Sequence, residues 1–156
     1  SGISYTNLEL NDKIGINLGF EYRFGTTPNM VLGYETQYFK QKKDFKWFNE
    51  HDYKTIETMS IHNLSISKCF FPENKINLNL GIAYQFLNFN TTIQSDNNEL
   101  KNFFKPIHIH SNYLTFKAKV NYLLVNSFSL FVSFNHIHLT KKHNYLNSMF
   151  GIQFKF

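Results

Sequence analysis

Apolar residues alternate with small or polar ones along several stretches of the chain, and this alternation is its most constraining feature. From Ile14 to Phe24, every even-numbered residue is aliphatic or aromatic, while the odd-numbered residues are Gly, Asn, Glu or Arg. The pattern recurs in 76–86, 114–122 and 150–156. Successive side chains of a strand point to opposite faces, so the pattern predicts strands with one bulky apolar face and one small or polar face.

Turn residues divide the chain into strand candidates, and no long segment has the spacing of an amphipathic helix. The predicted strands are 3–10, 14–24, 30–40, 55–70, 76–86, 113–124, 128–139 and 145–156. Short connections are predicted at 25–29, 72–75 and 126–127, and long loops at 42–53 and 88–106, with shorter loops at 11–13 and 140–144. Short turns at one end and long loops at the other are typical of a transmembrane barrel.

An even number of strands places both termini at the short-turn end, which is the periplasmic end of such a barrel. The sequence therefore predicts an all-β, eight-stranded, antiparallel up-and-down transmembrane barrel, with residues 1–156 as its single domain. The alternation also predicts register. Directly opposed residues of two antiparallel strands lie on the same face, and even-numbered residues are apolar on both sides of Asn126. Each opposed pair there must therefore consist of two even or two odd residue numbers, whose sum is even. An even sum requires three loop residues between the strands rather than two.

The composition excludes several other classes. The 156 residues contain no run of 18 apolar residues and only one cysteine, Cys69, so neither a transmembrane helix nor an internal disulfide is expected. No signal peptide is visible; if the chain is exported, the signal has been removed. The net charge of +5 fits solvated loops and a charged lumen, or a basic surface that meets anionic lipopolysaccharide. No nucleic-acid-binding motif is present.

A lipocalin-like barrel or a β-sandwich would show the same alternation with its apolar face turned inward. Three features favour the membrane barrel. Glycine and alanine on the polar face suit a narrow lumen. The apolar face is uniformly bulky and rich in Phe and Tyr, and 18% of all residues are aromatic. The third feature is the last strand, which ends the printed chain on aromatic residues.

The closing stretch Gly151-Ile-Gln-Phe154-Lys-Phe156 resembles the last strand of bacterial outer-membrane barrels. With the strand count and loop asymmetry, the whole chain resembles the small outer-membrane β-barrels of Gram-negative bacteria. These are the OmpA/OmpX-type proteins, including the outer membrane protein β-barrel group common in Bacteroidetes. The resemblance implies a location in the outer membrane and insertion by the outer-membrane assembly machinery, which would recognise Gly151, Phe154 and Phe156. Outer-membrane lipid, lipopolysaccharide and other outer-membrane proteins are the implied partners.

Charged residues on the polar face are expected to form a network inside the barrel. They are Glu21, Arg23, Glu35, Lys117, Lys119 and Lys155. Eight strands enclose an interior that side chains fill, and charges buried there must pair. The cations outnumber the anions, so some ammonium groups are expected to reach amide carbonyls or the periplasmic rim. The sequence thus predicts a plugged lumen without porin activity.

Two His-x-His pairs are the only other candidates for chemistry: His108 with His110, and His136 with His138. They are weak metal candidates, since no Cys or carboxylate completes a ligand set, and we expect polar residues at headgroup level instead. Lipid A deacylases are eight-stranded outer-membrane barrels with a His-x-Ser-Asn element on a late strand. The corresponding stretch here begins at His136, and His138 and Leu139 stand in place of the serine nucleophile and its neighbour. Because no Asp or Glu follows Glu99, we expect no such catalysis.

Aromatic residues near the first long loop are candidates for surface binding, namely Trp47, Phe48 and Phe39. Packing within the loop or an aromatic girdle is the simpler explanation and the one we favour. The sequence thus predicts a non-catalytic barrel without cofactors, acting as a structural or interaction protein or as a subunit of a larger complex. The alternatives are a lipid-modifying enzyme and a surface binder of ligands or metal through the loops.

Overall fold

The computed structural model describes residues 2–8, 11–24, 29–47, 51–95, 106–125, 128–140 and 143–154. Side chains are described for 15–24, 29–44, 54–93, 106–125, 128–136 and 146–154. Within these residues, no helix has the length and hydropathy needed to cross a membrane.

Eight antiparallel strands form a closed barrel in which each strand pairs with its neighbours in sequence, and β1 pairs with β8 to complete the circle. The strands are β1 Gly2–Leu8, β2 Asn11–Phe24, β3 Met30–Trp47, β4 His51–Phe70, β5 Ile76–Ser95, β6 Ile107–Val125, β7 Phe128–Thr140 and β8 His143–Phe154. The predicted all-β up-and-down architecture is confirmed.

Side chains are sorted by residue number throughout the wall. In the apolar runs of the wall, such as 16–24, 76–86 and 114–122, the large apolar groups that face outward are even-numbered. Phe20, Leu114 and Phe116 are 68%, 67% and 74% exposed. The odd-numbered residues face the interior, where Gln37, Asn63 and many other polar side chains are buried. An apolar exterior around a polar interior is the arrangement of a transmembrane barrel, so the soluble alternatives are excluded.

The junction between β6 and β7 shows how the register is kept. Tyr122 opposes Leu130 and Phe116 opposes His136, so the sums are even, as the alternation requires. The extra residue is not in the connection, because β6 ends at Val125 and β7 begins at Phe128. It is instead a β-bulge between Leu123 and Val125. The prediction of a three-residue loop was wrong, since a bulge can absorb one residue without exchanging the two faces.

The predicted long loops are largely strand. Residues 42–47 continue β3, residues 51–53 open β4, and residues 88–95 continue β5. The segment 11–13, predicted as a loop, opens β2. The alternation fades in the projecting parts because both faces of a strand meet water there. Backbone pairing continues all the same, with Trp47 opposite His51 and Tyr53 opposite Ser95.

Strands β3 to β6 are much longer than a bilayer requires. They contain 18, 20, 20 and 19 residues, whereas about 9–11 tilted residues span the hydrocarbon. Strands β1, β2, β7 and β8 contain only 7, 14, 13 and 12. One side of the barrel wall therefore extends beyond the membrane as a four-stranded sheet. We call residues 38–47, 51–60, 88–95 and 107–110 the projecting sheet.

Close backbone approach explains one glycine of the wall. A Cβ at Gly81 would overlap the carbonyl oxygen of Ile66 and lie 2.5 Å from Cα of Ser67 on the neighbouring strand. We expect Gly81→Ala to lower the free energy of unfolding by about 1–3 kcal/mol, because backbone atoms must shift. The matched control is Gly33→Ala, whose Cβ would meet the side-chain oxygen of Ser65 at 2.8 Å, a group that can rotate away. Urea titration from lipid vesicles compares them; equal losses would contradict the argument.

Candidate functional site

A cluster of buried charges crosses the lumen near the middle of the barrel. Lys117 of β6 places Nζ 2.7 Å from Oε1 of Glu35 on β3, 3.2 Å from Oγ of Ser65 on β4 and 4.0 Å from Oε1 of Glu21 on β2. The side chain of Lys117 is 1% exposed. Because β6 and β3 are not neighbours in the wall, these contacts join opposite sides of the barrel.

A second lysine extends the cluster to the closing strand. Nζ of Lys119 lies 2.7 Å from Oε1 of Glu21 and donates to Oε1 of Gln153 at 3.0 Å. The amide of Gln153 in turn donates to Oε2 of Glu21 at 3.1 Å. The ammonium also lies 4.4 Å from the ring centroid of Phe131, a cation–π distance. Every strong hydrogen-bonding group of this triangle therefore has a partner.

The sequence places these groups together for two local reasons. Lys117 and Lys119 are two residues apart on one strand, so both point into the lumen. Glu21 directly opposes Gly33 on β3, which places its carboxylate beside the lysines. Two cations thus face two anions, and the core of the network is balanced.

The other predicted members of the network lie elsewhere. The side chain of Arg23 is exposed at the end of β2. Lys155 lies outside the described residues. Among the side chains that the structure describes, the buried cluster is formed by two carboxylates and two lysines, namely Glu21, Glu35, Lys117 and Lys119.

Amide side chains form further hydrogen bonds inside the lumen. Asn121 donates to Oδ1 of Asn77 at 2.8 Å, and Asn147 donates to Oε1 of Gln37 at 2.9 Å. The first bond joins directly opposed residues of the neighbouring strands β6 and β5. The second joins the non-adjacent strands β8 and β3 across the barrel, and Gln37 also contacts the sulfur of Met149 at 3.1 Å.

An apolar layer fills the lumen on the side of the projecting sheet, and the sequence analysis missed it. Phe39, Met59, Ile61 and Leu87 form a buried cluster against which Phe89 and Tyr113 pack. Phe39 was expected near a surface binding patch, but it is 1% exposed inside the barrel. The odd–even alternation could have predicted this layer. All six residues are odd-numbered, and odd-numbered residues face inward from β2 to β8.

A cavity of about 270 Å³ adjoins the charged cluster at the β2–β8 side of the wall. Glu21, Lys119 and Gln153 line it from within, and the outward-facing side chains Leu18 and Phe154 also take part. The cavity lies beside the part of β2 that follows its pairing with β1, which covers Asn11 to Asn17 of β2.

Three of the four histidines of the His-x-His pairs have described side chains, and these three are exposed on the outer face. His108 and His110 are exposed at the start of β6, while His136 opposes Phe116 farther along that strand. The side chain of His138 lies outside those that the structure describes. Within the described part of the chain, no group of three His, Cys, Asp or Glu side chains is placed to hold a metal ion.

The remaining predicted residues are at the two ends of the barrel. Trp47 ends β3 opposite His51, and neither its side chain nor Phe48 is among the described parts. Gly151 is buried and pairs with Gly2 and Phe131, while Phe154 is 48% exposed on the outer face. Phe156 lies outside the described residues. Recognition of this strand by the assembly machinery stays a prediction.

The fold has solved relatives at low sequence identity. Ail, the attachment invasion locus protein of Yersinia pestis, in complex with the heparin analogue sucrose octasulfate, superposes with a TM-score of 0.66 at 10% identity, covering 99% of this chain and 94% of that one. Neisserial surface protein A gives 0.51 at 13% identity over 99% and 92%. The N-terminal barrel domain of Pseudomonas aeruginosa OprF gives 0.52 at 12% over 99% and 95%. No family model matches the chain, and neither does any curated protein.

The apolar exterior, the polar interior and these similarities define the class. The chain has the fold of the small β-barrel proteins of the bacterial outer membrane.

Proposed function

We propose that the protein is a non-catalytic outer-membrane barrel with a closed lumen, which acts through its projecting sheet as a structural or interaction protein. The observation that carries the proposal is the contact of Lys117 with Glu35 across the barrel at 2.7 Å. A buried ion pair between opposite walls occupies the space through which ions would pass.

Three layers support a closed lumen. The bond from Asn147 to Gln37, which crosses the barrel, lies between the charged cluster and the apolar layer around Phe39 and Met59. An eight-stranded barrel leaves little room beyond its side chains. Hydrated ions would have to displace buried salt bridges at one level and tightly packed apolar groups at the next.

The closed lumen predicts the absence of porin activity. Purified protein in planar bilayers at neutral pH should show no stable open state. The variant Phe39→Gly with Met59→Ala, which thins the apolar layer, tests which layer closes the lumen; it should remain non-conducting while the ion pairs persist. Sustained ohmic conductance of the wild-type protein would contradict the proposal.

The proposal of a role without catalysis is supported by the placement of His136. It is exposed on the outer face, whereas Asn135 beside it is buried in the lumen. An imidazole that activates a nucleophile must have that nucleophile within hydrogen-bond reach. Mass spectrometry of lipid A from cells that express the protein would decide the matter, and a change in acylation would favour the alternative of a lipid-modifying enzyme.

The asymmetry of the wall supports an interaction role. A barrel that only filled the membrane would not need strands of up to 20 residues on one side. The projecting sheet offers a rigid surface beyond the membrane, which suits either a ligand or a larger outer-membrane complex. Affinity purification from native membranes tests whether the protein belongs to a larger complex. We expect a stoichiometric partner to co-purify, and this partner should be lost when residues 42–53 are trimmed.

A further inference from the structure

The projecting sheet has two open edges, because β3 and β6 both extend beyond their outer neighbours. Among the described residues, β2 pairs with β3 only as far as Phe39, so residues 40–47 pair with β4 alone. β7 pairs with β6 only from Phe116 onward, so residues 107–115 pair with β5 alone. We call these two segments the β3 edge and the β6 edge. Backbone N–H and C=O groups on the open side of such an edge can pair with another strand.

Charge distinguishes the two edges. Lysines on an edge strand discourage pairing with a further strand, and the β3 edge contains four of them, namely Lys40, Lys42, Lys43 and Lys46. The β6 edge contains no Lys, Arg, Asp or Glu, and neither does the adjoining segment 88–95 of β5. The β5–β6 half of the projecting sheet is therefore uncharged, and its edge lacks the protection that the β3 edge has.

The imidazoles of the β6 edge leave its backbone accessible. Nδ1 of His108 lies 2.7 Å from Oδ1 of Asn90, and Nδ1 of His110 lies 2.6 Å from Oδ1 of Asn88. Both asparagines belong to β5. The two rings therefore lean toward β5 and away from the open side, where they would otherwise compete with an incoming strand for the backbone groups.

Two isoleucines on the inner face of the β6 edge favour an apolar neighbour. Ile107 and Ile109 are 54% and 46% exposed. Each is opposed by a residue of β5, Thr91 and Phe89 respectively, while the described residues leave the other flank open. An added strand would bury the isoleucines if its inward side chains were apolar, and its outward ones would lie beside the two histidines. The edge thus fits a strand of alternating apolar and uncharged polar residues.

A symmetric pair of copies in the same membrane cannot join through this edge. Both projecting sheets would lie on the same side, so the two-fold axis would run along the membrane normal. Strands tilted by about 35–45° from that axis would cross at roughly 70–90°, whereas neighbouring strands of a sheet differ by about 20–25°. The edge therefore suits a strand that approaches from outside the membrane.

We propose that the β6 edge binds an extended segment of an extracellular protein, which adds to the projecting sheet as an uncharged strand of alternating apolar and polar residues. The inference rests on the proposed function, because it takes the projecting sheet to be the interaction surface. It goes further by assigning the contact to one edge, its mode to backbone hydrogen bonds and the partner to one class of segment.

A synthetic peptide of about nine residues that alternates valine and threonine, with blocked termini, is the probe. The protein in lipid vesicles should bind one peptide per barrel. Hydrogen–deuterium exchange should slow for the amides of 107–115 and stay unchanged for those of 40–47. Because the edge is uncharged, the affinity should be the same at about 0.05 and 0.5 M salt. The same peptide N-methylated at every residue has no backbone donors and should not bind.

Ile109→Lys gives the β6 edge the kind of charge that protects the β3 edge, and it should weaken peptide binding by at least about tenfold. The matched control is Thr58→Lys, which adds the same charge to β4, a strand that is paired on both sides. This control should leave peptide binding unchanged. Both variants place one lysine on the projecting sheet, so they differ only in distance from the open edge.

The outcomes separate this inference from its rivals. Equal binding of the plain and N-methylated peptides, equal affinity of the wild type and Ile109→Lys, or slower exchange at 40–47 instead of 107–115 would each overturn it. Clustering of protein-bearing vesicles that Ile109→Lys abolishes would assign the edge to a copy of this chain on an opposed membrane, and would overturn the assignment to another protein.

The inference and the proposed function can fail separately. Peptide binding by a barrel that conducts ions would refute the closed lumen and leave this inference intact. A co-purifying partner that leaves the amide exchange of 107–115 unchanged would support the interaction role and overturn the assignment to the β6 edge.

Discussion

Replacing Lys117 with alanine is expected to lower the free energy of unfolding by about 3–5 kcal/mol. The substitution removes the ammonium that lies 2.7 Å from Glu35 and 4.0 Å from Glu21, and both carboxylates are less than a tenth exposed. The alanine side chain cannot replace the lost hydrogen bonds, and a buried carboxylate without a cation is costly to desolvate. Urea titration of the protein in lipid vesicles, with the gel shift of the heat-unfolded form as readout, measures the loss.

The matched control is Lys75→Ala, which removes an exposed lysine from the connection between β4 and β5 and should change stability by no more than about 0.5 kcal/mol. A double-mutant cycle then isolates the pair, with Lys117→Met and Glu35→Gln as the single variants and their combination as the double variant. The double variant should recover part of the loss caused by Lys117→Met alone, with a coupling energy of about 1–3 kcal/mol. If Lys117→Ala cost no more than Lys75→Ala, the cluster would be hydrated and the case for a closed lumen would fail.

The inward direction of Lys117 and Lys119 can be predicted from the sequence, because the alternation is strict where the barrel is in lipid. A polar side chain that faces the hydrocarbon costs free energy. The apolar residues on either side of Lys117 and Lys119 therefore face the lipid, and the two lysines face the lumen. Their partners followed from the narrow bore, in which buried charges must pair. The sequence did not show that the buried cluster balances two lysines with two carboxylates. Whether Arg23 lies inside the lumen or at its end depends on the tilt of the strand.

The apolar layer and the projecting sheet were harder to predict for a related reason. Met59 and Ile61 lie in a stretch where polar residues occupy both faces, since the outer face there is no longer in lipid. The local pattern is lost even though the strand continues. These two side chains can be assigned to the lumen only by continuing the odd–even alternation back from Leu64. The backbone pairing that extends β3 to β6 is not visible in the hydropathy of the sequence.

Arginine substitutions at two depths of one strand test whether the exposed apolar face of the barrel lies in lipid. Ile82 is 43% exposed on the outer face of β5, in the middle of the apolar run from Ile76 to Phe86, with Ile66 and Phe116 directly opposite on the neighbouring strands. Ile82→Arg should lower the free energy of unfolding by about 2–4 kcal/mol, the cost of a cation near the midplane. Neither opposed side chain offers it a hydrogen bond.

Ile76→Arg is the control for that experiment, because Ile76 is the first residue of β5 and is 57% exposed at the edge of the belt. A cation there reaches the interface and should cost no more than about 1 kcal/mol. The two variants add the same group to the same strand on the same face, so only depth distinguishes them. Equal losses would mean that the exposed apolar face meets water rather than lipid, and the assignment of even-numbered residues to the membrane would be wrong.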